Sequence, residues 1–305
     1  IELCLVGSEM CIRDSDNPEA FRAAVTEKTR AIFVESLANP GGVIVDLEAI
    51  AKIAQEAEVP LIVDNTMATP WLCRPFEWGA DLVVHSTTKF LSGQGNAMGG
   101  IVIDSGRFPW FGNAKYPSLS EPCPDYNGLT FAETFGDMAF TLYSHAVSLR
   151  DLGCTQSPMN AWITLNGVET LPLRMERHVE NAQKVAGFLQ QHPSVEWVSY
   201  AGLSSSPYYQ LAQKYLQGKA GSVFTFGIRG GYESGLRLLE KVELFSHVSN
   251  IGDSRSLILH PASTTHRQLS DEQRLTAGAC PEVIRLSVGI ESAEDLIADL
   301  EQALE

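Results

Sequence analysis

Three short apolar runs in the first third of the chain, each ending on polar or charged residues, limit what it can fold into. Ala31-Ile32-Phe33-Val34 leads to Glu35, Leu61-Ile62-Val63 leads to Asp64, and Leu82-Val83-Val84 leads through His85-Ser86-Thr87-Thr88 to Lys89. Between the first two, Leu47, Ile50, Ile53, Ala54 and Ala57 recur at helical spacing and stop before Pro60. Upstream, Asp16-Asn17-Pro18-Glu19 reads as a capped helix start, with Phe21, Ala24 and Val25 following on one face. Ile101-Val102-Ile103 predicts one more strand. Strand–helix–strand alternation of this kind specifies an α/β domain with a largely parallel sheet. Ligands of such sheets sit beyond the carboxyl ends of the strands, where Asn39, Asp64 and Lys89 fall.

A lysine just past a buried strand is an unusual cation, because burial disfavours the ammonium and favours a reactive neutral amine. An amine and a carboxylate at neighbouring strand ends suit pyridoxal 5'-phosphate: Lys89 can form a Schiff base with its aldehyde, and Asp64 can hold the pyridinium proton. The plainer readings are that Asp64 caps the next turn and that Lys89 is a solvated surface residue. Ser86 and Thr88 alternate along what is expected to be an extended chain, so both hydroxyls can face a phosphate. The cluster Gly93-Gln94-Gly95-Asn96-Ala97-Met98-Gly99-Gly100 has Met98 where a dinucleotide fingerprint needs its third glycine, and reads as a turn. Arg285 stands inside the β-rich run Val283-Ile284-Arg285-Leu286-Ser287-Val288. A cation there needs an anion, either an acid in a salt bridge or a substrate carboxylate held by the guanidinium fork. His260 and His266 are expected to make structural or loop hydrogen bonds, and no metal-ligand spacing is present.

The 305 residues suffice for two domains. A net charge of −15, from 22 basic and 37 acidic residues, argues against a nucleic-acid or anionic-membrane partner, though a phosphate site can be built locally. No apolar run has the length of a membrane span, and the first residues lack the features of a signal peptide. Six scattered cysteines without a CxxC pair point to reduced thiols and a cytoplasmic location. Residues 112–127 are rich in proline and polar side chains and are expected to form a long surface loop. Residues 153–171 are expected to be a hinge. Residues 173–191 read as a long helix with Val179, Ala182, Val185, Ala186 and Leu189 on its apolar face. Beyond it, Glu196-Trp197-Val198-Ser199-Tyr200, Val223-Phe224-Thr225-Phe226 and the Arg285 run are strand-like. Residues 236–242 and 295–304 are helical, giving an α+β domain with a mostly antiparallel sheet.

The segments Phe33-Val34-Glu35-Ser36 with Asn39-Pro40, Val63-Asp64-Asn65-Thr66, His85-Ser86-Thr87-Thr88-Lys89 and Arg285-Leu286-Ser287-Val288-Gly289 resemble the Cys/Met-metabolism pyridoxal-phosphate enzymes. Three more segments narrow the resemblance to the O-acetylhomoserine sulfhydrylase branch of that family: Leu171-Pro172-Leu173-Arg174-Met175-Glu176-Arg177-His178, the stretch 244–253, and His260-Pro261-Ala262-Ser263-Thr264-Thr265-His266. The resemblance implies the aspartate-aminotransferase-like fold (fold type I), with a cofactor-binding large domain over residues 16–171 and a smaller α+β domain over 172–305. It implies Lys89 as the Schiff-base lysine, Asp64 as partner of the ring nitrogen, Ser86 and Thr88 as phosphate ligands, and Asn39 as a contact to cofactor and substrate. Arg285 would hold the substrate carboxylate, with Asn250 nearby where related lyases often carry serine; Glu35 lies at the family's strand-end acid. The implied reaction is γ-replacement on an amino-acid ester, O-acetylhomoserine, by sulfide or methanethiol. γ-Elimination by a cystathionine or methionine lyase is the sister alternative. The implied assembly is a homo-oligomer, a tetramer built from dimers that share active sites. Residues 1–15 do not look like the family's sequence at this place. The chain is therefore expected to be an N-terminally truncated large domain behind an unrelated leader, with an exposed sheet edge and apolar surface. It would then lack part of the phosphate site, and an inactive fragment is the remaining alternative.

Overall fold

A computed structural model describes residues 17–305; the expected leader, residues 1–15, lies outside them. The first helix, Pro18–Ala24, begins as expected, with the Asn17 side chain accepting from the Glu19 amide and Pro18 in the first turn. Helix Leu47–Glu56 is capped by Asp46, which accepts from the Ala49 amide, and buries Leu47, Ile50, Ile53 and Ala54.

Four strands form the first sheet in the order β1 (Ile32–Glu35), β2 (Leu61–Asp64), β3 (Leu82–Ser86) and β4 (Gly100–Asp104). The first three are parallel and β4 is antiparallel. Register sets Glu35 beside Asp64 and Asp64 beside Val84, so the polar strand ends share one rim of the sheet. Ile32, Val34, Leu61, Val63, Leu82 and Val83 are buried, whereas Phe33 and the β4 residues Ile101, Val102 and Ile103 are exposed.

The second sheet has the order β5 (Val195–Ser199), β6 (Val223–Ile228), β9 (Val283–Ser287), β8 (Leu257–Leu259) and β7 (Ser246–His247). All its pairs are antiparallel except β7 with β8. Every residue of β6 is buried. Helix Leu171–Gln191 has the five expected apolar positions buried, together with Met175, His178 and Asn181. The last helix, Ala293–Leu304, packs against it and buries Leu296 and Leu300 in the same core.

Two expectations give way. Most of the stretch expected as a hinge is the helix Pro158–Glu169, capped by Ser157, which accepts from the Asn160 amide. Its Met159, Trp162 and Leu165 are exposed, so no polar face alternates with an apolar one and the period is hidden. Residues 112–127 are not a simple surface loop either. Tyr116, Leu119, Cys123 and Tyr126 pack onto a small separate core of Phe108, Trp110, Phe131 and Ala139. Trp110 stacks on Phe140 and meets the edge of Tyr116. The irregular spacing of these aromatics has neither a helical nor a strand period.

Candidate active site

The sheet ends at Ser86, where the backbone leaves β3 and coils into a helical turn over Thr87–Leu91. Phe90 and Leu91 are buried and anchor this turn, while Lys89 departs from helical geometry within it (φ −91°, ψ −130°). The extended spacing expected for Ser86 and Thr88 is therefore not present. Thr88 lies in the turn, and its hydroxyl accepts from the Gly99 amide (3.1 Å) and faces the Gly99 carbonyl (3.4 Å). Ser86 is held by its amide, which donates to Thr66 Oγ1 (2.8 Å), and its own hydroxyl is uncommitted among the described residues.

Asp64 sits at the end of β2 with Oδ1 accepting from the Thr66 amide (2.8 Å). Its second oxygen has no partner among the described residues. Thr66 thus fixes both the carboxylate and the end of β3. Asn39, in the turn after β1, donates its amide to Glu35 Oε2 (3.1 Å). Burial raises the Glu35 pKa, the Asn39 amide opposes that, and the neighbouring Asp64 charge adds to it.

Lys89 Nζ donates to Asn250 Oδ1 at 2.5 Å, joining the first sheet to the loop after β7. Burial first, and the Arg285 cation second, hold the Lys89 amine below its ordinary pKa of 10.5. Arg285, in β9, donates from Nη2 to the carbonyls of Ser249 and Asn250, both at 3.2 Å. No acid pairs with it among the described residues, so the salt-bridge reading finds no partner there and part of the fork is free among them. The 249–254 loop is stitched to both sides: Gly252 donates its amide to Ser287 Oγ (3.0 Å), and Ser254 bonds the Gly93 carbonyl through amide and hydroxyl. Gly252 has φ +71°, and a Cβ there would stand 2.8 Å from the Phe90 nitrogen, so only glycine lets the loop approach the lysine turn.

His260 and His266 behave as expected. His260 bridges Ser263 Oγ and the Pro281 carbonyl, and His266 meets Thr265 Oγ1. The residues that sequence reasoning missed are Thr66 and three on the long helix, Arg174, His178 and Asn181. For His178 and Asn181 a signal existed, since two polar residues interrupt the apolar stripe of that helix.

The donor set fits pyridoxal phosphate. Among the described residues it offers an amine of lowered proton affinity, a carboxylate with one open oxygen, an open hydroxyl and a guanidinium without an acid partner. The family model described as "Cys/Met metabolism PLP-dependent enzyme" matches residues 4–305. The chain belongs to that family. It is 49% identical to an O-acetyl-L-homoserine sulfhydrylase of Leptospira meyeri over 98% of its own length and 70% of the relative's. To O-acetyl-L-homoserine sulfhydrylase 1 of Thermus thermophilus it is 50% identical, over 95% and 69%. A solved Campylobacter jejuni structure, described as an O-acetylhomoserine (thiol)-lyase with N'-pyridoxyl-lysine-5'-monophosphate, superimposes with a TM-score of 0.90 at 42% identity, covering 95% of this chain and 69% of that one. The architecture is thus that of fold type I, with a mostly parallel first sheet and an α+β second part.

Proposed function

We propose that this chain catalyses γ-replacement on O-acetyl-L-homoserine, exchanging acetate for sulfide to give homocysteine, with methanethiol as an alternative thiol. The observation that carries the reading is Asn250, whose side chain holds the Lys89 amine while its backbone carbonyl holds Arg285. One residue thereby sets a prospective Schiff-base amine and a prospective carboxylate clamp side by side. The sulfhydrylase names of the relatives favour this substrate over that of a γ-lyase.

Bound pyridoxal phosphate supplies an electron sink for the charge left when a substrate carbon loses its proton. Lys89 Nζ would bind the aldehyde and, once released, take up and return a substrate proton; burial and the Arg285 cation lower its proton affinity, which favours the neutral amine that a base needs. Asp64 would keep a proton on the ring nitrogen through its open oxygen. Ser86 would receive phosphate, with Thr88 contributing less because Gly99 engages its hydroxyl. Asn39 would stand at the ring and substrate side. Arg285 would grip the substrate carboxylate bidentately, which fixes the amino acid's orientation before any proton moves.

We place the enzyme in the cytoplasm, a reading supported by four free cysteines among the described residues (Cys73, Cys123, Cys154 and Cys280). No described helix is long and apolar enough to cross a membrane. Exposed Met159, Trp162, Leu165 and Leu173, with Met98 tied to them by Asn160, support a homo-oligomer.

The test is borohydride reduction after incubation with pyridoxal phosphate, with peptide mapping, beside product assays. Wild type should be labelled at Lys89 and should convert O-acetylhomoserine and sulfide to homocysteine faster than it degrades methionine or cystathionine. Lys89→Ala should lose both label and turnover. Label at another lysine, or undiminished turnover by the variant, defeats the assignment.

A further inference from the structure

Helix Leu171–Gln191 carries Arg174, His178 and Asn181 at intervals of four and three residues, which places them on one face. His178 and Asn181 are fully buried within the apolar stripe, and Arg174 is half-buried. All three bond chiefly to backbone carbonyls. Arg174 Nη1 donates to Phe90 O (2.8 Å), and Nη2 to Gly167 O (2.7 Å) and Leu91 O (3.4 Å). Its Nε donates to Thr170 Oγ1 (3.1 Å). Phe90 and Leu91 are the two residues after Lys89. At the other end, His178 Nδ1 meets Val288 O (2.7 Å), and Asn181 Nδ2 donates to Gly289 O (3.0 Å) and Glu291 O (2.8 Å). Those carbonyls follow the strand that carries Arg285.

Arg174 has no acid partner among the described residues, and His178 Nε2 and Asn181 Oδ1 have no hydrogen-bond partner there. Apolar side chains of similar volume in their place would leave the carbonyls of both segments without these donors. Apolar groups have no directional bonds with which to fix two distant backbone segments to one rod. We propose that Arg174, His178 and Asn181 form a positioning frame that ties the lysine turn and the end of the arginine strand to one helix, and so sets the Lys89 amine relative to the Arg285 guanidinium. The frame rests on the roles of Lys89 and Arg285 given above.

Its two ends are separable, and the experiment uses that. The full chain with pyridoxal phosphate is compared with Arg174→Lys, Thr170→Val and Asn181→Ser. The measurements are the rate of Lys89 labelling by pyridoxal phosphate and borohydride, kcat and KM for O-acetylhomoserine, and the melting temperature. Arg174→Lys keeps the charge and loses the fork, and Thr170→Val removes the hydroxyl that steadies the guanidinium. Both should slow labelling and lower kcat by about tenfold or more with KM little changed, the scale expected of a misplaced reacting group. Asn181→Ser should raise KM by about tenfold at an unchanged labelling rate, because it loosens the carboxylate end. Should Arg174→Lys fail to fold, Thr170→Val carries the lysine arm alone. Labelling, kcat and KM moving together in step with melting temperature, or not moving, overturns the frame while leaving the site reading intact. Failure of wild type to label at Lys89 sinks the site reading and the frame with it.

Discussion

Acid should weaken this fold in part through the imidazole of His178. Burial drives its pKa from the ordinary 6.5 down to about 4; the Val288 carbonyl opposes the shift, the Arg174 cation adds to it, and Asp253 opposes it again. Between these two values the unfolded chain binds a proton that the folded chain refuses. Stability from this group is therefore fully present above 6.5 and is lost as the pH falls towards 4. At about pH 5 the unfolded imidazole is almost wholly protonated and the folded one roughly a tenth so, a loss of about 2 kcal/mol relative to about pH 8. Other groups titrate over the same range, so the comparison is with His178→Gln, which keeps a donor for Val288 O and cannot titrate. Urea unfolding followed by circular dichroism at both pH values gives the stability of each protein. Wild type should lose about 2 kcal/mol more than the variant on acidification. Equal losses would show that the imidazole is protonated alike in both states, and the argument from its burial would be wrong.

Two further outcomes follow from the site. Arg285→Met removes the second cause of the low Lys89 pKa and leaves the first, burial, in place, so the pH midpoint of Lys89 labelling should rise and still lie below 10.5; an unchanged or lower midpoint contradicts the coupling. In Gly167→Ala the new Cβ would stand 2.3 Å from the Leu91 carbonyl, and the helix must back away from the lysine turn. The urea midpoint should fall by an amount equivalent to about 1–3 kcal/mol, and an unaltered midpoint would mean the helix and turn are not in contact.

What the sequence revealed and what it hid have separate physical causes. The places of Asp64 and Lys89 at one rim of the sheet were legible because an apolar run in a parallel strand must end where the backbone leaves the sheet. Arg285 was legible as a cation inside a β-rich run. Thr88 was misplaced because hydroxyl spacing was read as if β3 continued, while the burial of Phe90 and Leu91 coils the chain directly after Ser86. Arg174 fell within a segment of the resemblance, but its contacts were hidden, since a polar residue on a helix reads as solvated and its partners at Phe90 and Leu91 lie far away in sequence. Strands β7 and β8 have two and three residues, too few to show a period, and exist through pairing with each other and with β9.

The placing of Arg285 has a consequence for the order of events at Lys89. Burial disfavours a proton on the Lys89 amine, and the Arg285 guanidinium disfavours it further. A substrate carboxylate at Arg285 would offset that cation at short range, where screening by salt is weak. Proton affinity at Lys89 Nζ would then rise when the amino acid is seated, which is when the amine has a substrate proton to accept. The Arg285→Met variant reproduces this neutralisation without a ligand, so its labelling midpoint measures how far the guanidinium lowers the amine's proton affinity. Asn250 makes the coupling local, because the residue that holds the amine through its side chain holds the guanidinium through its carbonyl. A shift of Arg285 towards an incoming carboxylate would pull on the backbone from which the Lys89 acceptor projects.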